Sequence, residues 1–210
     1  MLWTISGLVM VARPIDTVRG NDLRIERQTI PLPRLNPAPV LKDIDVPSTV
    51  KEIRTFMQRG RPVTMVTRLD GGMTRFDAAN GLPIPPIDEQ QAREIVAEGI
   101  VGGRDVVGTK LFAPAHVPFD FRKAMPVWQV RLADGTHIYV GRDSGEIEAI
   151  RTRYWRFFDV MWGLHIMDLQ TREDTHHPIL IGFTLAAALA SVLAVLLMIA
   201  RYMPRRCPRE

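Results

Sequence analysis

Cysteine is almost missing from this 210-residue chain: Cys207 is the single one. A lone cysteine excludes a disulfide framework, so any domain here must fold on its own apolar core. In a tail next to a membrane Cys207 is a candidate for acylation, and an inert thiol is the plainer reading. Charge of one sign is not in large excess either, with 27 Lys+Arg against 23 Asp+Glu. A nucleic-acid binder would gather its basic residues on one element. Here they are densest in the tail after Ala200, so nucleic acid is not an expected partner. Catalytic signatures are also missing. There is no phosphate-cradling glycine loop, no His-Glu-x-x-His, no nucleophile elbow, and no Ser or Cys beside a base. No catalytic residue is therefore nominated, and an autonomous enzyme is not expected. Nor does any cysteine or carboxylate pattern suggest a zinc site.

What the chain does have is a long apolar run, residues 179–200, with only Thr184 and Ser191 as polar interruptions. As a helix it would reach about 33 Å, enough for a hydrocarbon core of roughly 30 Å. Pro178 stands where a helix tolerates proline best, at its first position. Arg201, Arg205, Arg206 and Arg209 follow the run. By the positive-inside rule they place residues 201–210 in the cytoplasm and the preceding domain outside. Gly182, Ala186, Ala190 and Ala194 put small residues on one face at four-residue spacing, a pattern that packs helices together. Ser6 and Gly7 offer a matching small patch, and a helix–helix dimer is the other outlet.

Residues 1–12 are apolar and uncharged but too short to span a bilayer. A signal peptide would need a basic start and a clear cleavage site, and neither stands out. The expectation is the outer half of a transmembrane helix that begins upstream.

Between these ends lies material polar enough for a water-exposed domain. Residues 13–47 read as a proline-rich extended linker, with a short strand over 23–30. A first unit is expected over 48–87. Its helix would be capped by Thr49 and Glu52, with Val50, Ile53 and Met57 on one face, ending at Gly60. A hairpin follows, from RPVTMVTRL through Asp70-Gly71-Gly72 to a strand over 74–78. A second unit, 88–153, repeats this order. Asp88 and Gln91 cap a helix that buries Ala92, Ile95 and Val96, and PVWQVRL turns at Asp134-Gly135 into a strand over 137–140. An offset of 64 aligns Pro62 with Pro126, Val63 with Val127, Val66 with Val130, Asp70-Gly71 with Asp134-Gly135, and Gly81 with Gly145. The apolar residues Val63, Met65 and Leu69 have opposite parity to Trp128, Val130 and Leu132. A bulge or slipped register is thus expected in one copy. The fold class is α+β, with helices on one face of antiparallel sheets. Residues 104–125 form an unassigned insertion.

The segment 154–177 is rich in aromatics and histidine. Trp155, Phe158 and Trp162 recur at helical spacing next to the apolar run and suit a membrane interface. His165, His176 and His177 cluster there. Ligation of haem or a metal is the functional reading, and a hydrogen-bonded interface is the bland one.

The two units, together with WTISGLVM (3–10), PIDTVRG (14–20), FDVMWGLHIMD (158–168), Arg172 and Pro178, resemble PepSY domains and the PepSY-associated transmembrane proteins. The resemblance covers nearly the whole chain, but the histidine-bearing stretch usual in the first helix is absent. It implies an inner-membrane protein with a periplasmic PepSY domain that binds or regulates a partner, a peptidase in some relatives. It also implies an alternative: an electron-transfer subunit holding haem b, with His165 or His177 as ligand and a flavin or iron–sulfur reductase as partner.

Overall fold

The computed structural model describes residues 2–26, 30–34, 50–176 and 178–202. In chain order they form α1 (Leu2–Val11), α2 (Ile15–Val18), a 3-10 turn (Asn21–Leu23), β1 (Val50–Gln58), β2 (Arg61–Arg68), β3 (Met73–Asp77) and β4 (Pro83–Ile84). Then come α3 (Glu89–Gly99), β5 (Val106–Phe112), a 3-10 turn (Pro114–His116), β6 (Val127–Leu132), β7 (His137–Gly141), β8 (Ile147–Arg151), α4 (Arg153–His165) and α5 (Pro178–Tyr202). The chain divides into two compact units, Pro14–Arg156 and Met1–Arg13 with Phe157–Glu210.

The unit Pro14–Arg156 is α+β. It contains two four-stranded antiparallel sheets, ordered β1-β2-β3-β4 and β5-β6-β7-β8. The internal repeat is visible in their registers. Val63 faces Asp77 and Met65 faces Arg75 in the first sheet; Val127 faces Gly141 and Gln129 faces Tyr139 in the second. Each pair sits 64 positions from its counterpart. The likeness extends to the first strands, since Phe56 pairs with Val63 as Phe112 pairs with Val127. Both first strands also carry an irregularity at the same place, opposite Thr67–Arg68 and Arg131–Leu132.

Two expectations are corrected here. The segment expected as the first helix is strand β1. Its Val50, Ile53, Thr55 and Phe56 are strand formers, and it pairs with β2 along its length, with Thr55 Oγ1 2.9 Å from Thr64 Oγ1. Gly60 closes no helix. It forms the two-residue turn with Arg59, at φ 78° and 50°, the geometry a tight hairpin demands. Thr49 lies outside the described residues. The second correction concerns parity. Neither β2–β3 nor β6–β7 slips. Val63, Thr64, Met65 and Val66 are all buried, so β2 uses both faces, and Leu69 is exposed beyond its end.

The second helix forms as expected. Asp88 accepts from the Gln91 amide at 2.8 Å while the Gln91 side chain accepts from the Asp88 amide at 3.1 Å. Ala92, Ile95 and Val96 of α3 pack with Val130, Leu132, Ile138, Val140 and Ile150 of the second sheet. The other face of that sheet is sealed by residues 113–126, which bring Phe121 onto Val127, Tyr139 and Ala149. Leu23–Ile25 adds one bridge, Arg24 with Ile100, rather than a strand over 23–30; residues 27–29 lie outside the described part.

In the other unit, α5 is the one helix among the described residues long and apolar enough to cross a membrane. Apart from half-buried Leu180, its described residues are exposed. The ten-residue α1 sets Trp3 against Phe183 of α5, with ring centroids 5.9 Å apart.

Candidate functional site

Across antiparallel strands, directly opposed residues share a face. One such row in the first sheet is Arg54, Met65, Arg75 and Ile84; the matching row in the second is Lys110, Gln129, Tyr139 and Ala149. The second row is closed over from Gln129 to Ala149, with Lys110 exposed at its edge. Tyr139 is fully buried, donates to Asp120 Oδ1 at 2.6 Å, and accepts from Gln129 at 2.6 Å. His137 Nδ1 stands 3.4 Å from the other Asp120 oxygen, and Arg151 Nε donates to the Asp120 carbonyl at 2.6 Å. Burial pushes Asp120 up, but the hydrogen bonds from His137 and Tyr139 outweigh it and hold the acid below its usual range. Burial, reinforced by Asp120, raises the Tyr139 hydroxyl.

The first row borders open space. The β1–β2 turn has only Arg59 and Gly60, so it supplies no long connection to cover this face. A groove of 490 Å³ is lined by Arg24, Arg54, Phe56, Met57 and Ile95, with Gly145–Ile147 on its far side. Both β1 and β8 are edge strands, so backbone groups border it. A second groove of 550 Å³ shares Gln58 and Arg59 and adds Arg61, Arg75, Asp77 and Gln91. Arg59 binds Glu98 at 2.7 Å and Glu94 at 3.0 Å, and the Glu98 hydrogen bond chiefly raises it. Arg54 pairs with Glu146 at 2.8 Å. Arg54 is exposed and Glu146 partly so, and that bridge contributes at most about 1 kcal/mol. Burial nevertheless pushes the Glu146 acid up, against Arg54.

His165, at the end of α4, is the nominated residue with the most specific surroundings. Its ring stacks on Trp3 at 4.9 Å and 8°. Trp3 Nε1 donates to the His165 carbonyl at 3.1 Å. Ser6, 1% exposed, donates to the Trp3 carbonyl at 2.9 Å and lies 3.2 Å from His165 Nδ1. Nδ1 is also 3.3 Å from the Trp3 carbonyl, which only accepts. The network therefore assigns the proton to Nδ1 and leaves the Nε2 lone pair free of hydrogen bonds among the described residues, the form that ligates a metal. Gly7 favours this contact, since a Cβ there would sit 3.1 Å from His165 Cε1 and push the ring by a few tenths of an ångström. The patch expected to match the small face of α5 is thus taken up by His165. Gly182 meets nothing within 4 Å, and Ala186, Ala190 and Ala194 are exposed.

The loop after α4 is tightly built. Asp168 accepts from the amides of Gln170, Thr171, Glu173 and Asp174 and from the Thr171 hydroxyl. The Thr171 hydroxyl leads in holding this acid well below the carboxylate range, with desolvation opposing. Arg172 binds buried Asp159 at 2.6 Å, and its carbonyl accepts from Trp162 Nε1 at 3.0 Å.

Trp155 lies under Arg151, whose guanidinium is 4.0 Å from the ring centre, and Phe158 is half-buried. Arg201 is exposed at the end of α5. His177, Arg205, Arg206 and Cys207 lie outside the described residues, and among those described no His/Cys/Asp/Glu group could hold a metal ion. Sequence reasoning missed Arg75, Asp120, Asp159 and Asp168. Asp159 carried a signal, a charge inside an apolar helix; Asp168-x-x-Thr171 carried another, a loop-forming acid. Arg75 and Asp120 carried none, because their meaning depends on which strand and loop face them. No family model, curated protein or solved structure matches this chain.

Proposed function

We propose that this is a non-enzymatic PepSY protein of the bacterial inner membrane. Its α+β unit would act in the periplasm as a binding and regulatory module, with the tail after α5 in the cytoplasm. The observation that supports the reading best is the open face of the first sheet. Two grooves run beside an edge strand, and edge strands accept extended partners through their backbone. The bilayer anchors the module through α5, and a peptidase or reductase is the kind of partner to seek. Photo-crosslinking tests this in cells carrying the full chain. A benzophenone residue at Met57 should give a discrete adduct, and the same residue at Lys110 on the second sheet should give none. Adducts of equal yield from both, or from neither, would remove the proposal.

A second reading has its own support in the His165 tautomer. As an electron-transfer subunit, the protein would offer Nε2 of His165 to haem b, which would supply the redox step. Trp3, Ser6 and Gly7 would fix the ring. Detergent-purified protein from haem-replete cells should then show a Soret band that disappears in His165→Ala. A colourless preparation removes this reading.

A further inference from the structure

Arg75 is 7% exposed. Its Nη1 donates to Gln58 Oε1 at 3.0 Å and its Nη2 to the Pro85 carbonyl at 2.8 Å, while the buried Nε has no acceptor among the described residues. No carboxylate among the described residues stands within ion-pair distance. Asp143 acts on it only at longer range, and burial lowers its affinity for the proton. A buried cation without a partner is expensive, and an orphaned buried donor calls for an explanation. Its counterpart Tyr139 has one in Asp120, delivered by residues 113–126. The two-residue turn of the first sheet delivers nothing comparable.

The remaining charges of the groove do not fill that role. Arg59 is committed to Glu94 and Glu98. Asp77 accepts from the amides of Ala79 and Asn80. Gln91 is held by the helix cap. Arg61 is exposed and makes no ion pair among the described residues. Among the described residues Arg75 and Arg61 therefore make no ion pair, although Asp77 and Glu98 line the same groove. The adjoining groove, sharing Gln58 and Arg59, presents Phe56, Met57 and Ile95. Such a surface suits a chain with acid next to apolar side chains better than a small anion.

We propose that the groove over β3 is a carboxylate-binding site, in which Arg75 and Arg61 receive an acidic side chain of an extended peptide whose apolar neighbours lie against Phe56 and Met57. The inference rests on the binding-module reading and names its ligand class.

The test is titration calorimetry on the full chain in detergent, with acetyl-Glu-Glu-Leu-Leu-amide, its Gln-Gln-Leu-Leu analogue, and inorganic phosphate. The acidic peptide should bind at least about tenfold tighter than the amide analogue, as expected for a desolvated charge pair. That preference should vanish in Arg75→Gln and fall at least about threefold in Arg61→Ala, whose exposed side chain can be removed without disturbing the fold. Equal binding of both peptides, no peptide binding, or binding of phosphate alone would overturn the proposal. So would an undiminished preference in Arg61→Ala, or in an Arg75→Gln protein that melts like the wild type. If Met57 crosslinks a partner while the peptides fail to discriminate, the binding-module reading stands and this inference falls.

Discussion

At the centre of the third strand of the second sheet stands Tyr139, with Asp120 and Gln129 on its hydroxyl and Phe121 against its ring. At the same register in the first sheet stands Arg75, buried, with no acid within ion-pair distance among the described residues and lining a groove. Strand order, the pairing of the first three strands and even the irregularity in the first strand are shared. What differs is the connection between the first two strands, a tight turn in one copy and residues 113–126 in the other. One half of the repeat is packed under residues 113–126, and the other borders the two grooves.

The contrast can be broken most sharply at Ile138 and its counterpart Thr74. Ile138 is fully buried under α3, so Ile138→Ala should cost about 2–5 kcal/mol. Thr74→Ala, on a half-buried site, should stay within about 0.5 kcal/mol; denaturant melts of both compare them. Next come the paired central residues. Tyr139→Phe strands Asp120 and Gln129 and should cost about 1–3 kcal/mol. Arg75→Met strands Gln58 Oε1 and the Pro85 carbonyl but also removes an uncompensated charge, so the two offset and it should lie within about 1 kcal/mol of wild type. A larger loss at Arg75 would make it a structural staple instead. A smaller difference should separate two glycines. Gly145 (φ 63°) and Gly60 (φ 78°) both need the left-handed region. A Cβ on Gly145 would also meet Arg75 Nη1 at 2.7 Å, and on Gly60 it would meet nothing. Gly145→Ala should therefore lower the melting temperature more than Gly60→Ala.

The smallest expected effect is in pH dependence. The folded state depresses the Asp120 acid, so its contribution is present above the ordinary aspartate value of about 3.9. It is lost as pH falls below that toward the folded value. Asp120→Asn should flatten that acid-side loss in a melting series. An unchanged profile would show that the seal over the second sheet does not depend on this carboxylate.

Local signals were legible and non-local ones were not. Asp88 and Gln91 announced α3 because a capping box is complete within four residues. Asp-Gly pairs announced both hairpins for the same reason. Thr49 and Glu52 imitated such a box ahead of β1, and Val50, Ile53 and Met57 imitated a helical stripe. The strand was hidden because Arg54 and Gln58 look solvated in sequence, while their partners, Glu146 and the Ser144 carbonyl, lie far along the chain. His165 stands out in the sequence through its cluster with His176 and His177, while Ser6 and Gly7 look there like a helix-packing patch. Their role shows only once α1 meets α4.

Amide hydrogen exchange on the full chain in detergent, with and without the acetylated Glu-Glu-Leu-Leu peptide, tests the division between the two sheets most directly. Without peptide, amides of β6 and β7 should exchange slowest, and those of β1 and β4 through local opening. With peptide, β1, β3 and the start of α3 should gain protection while β6–β8 stay unchanged. Protection gained on the second sheet, or on neither, would contradict the account.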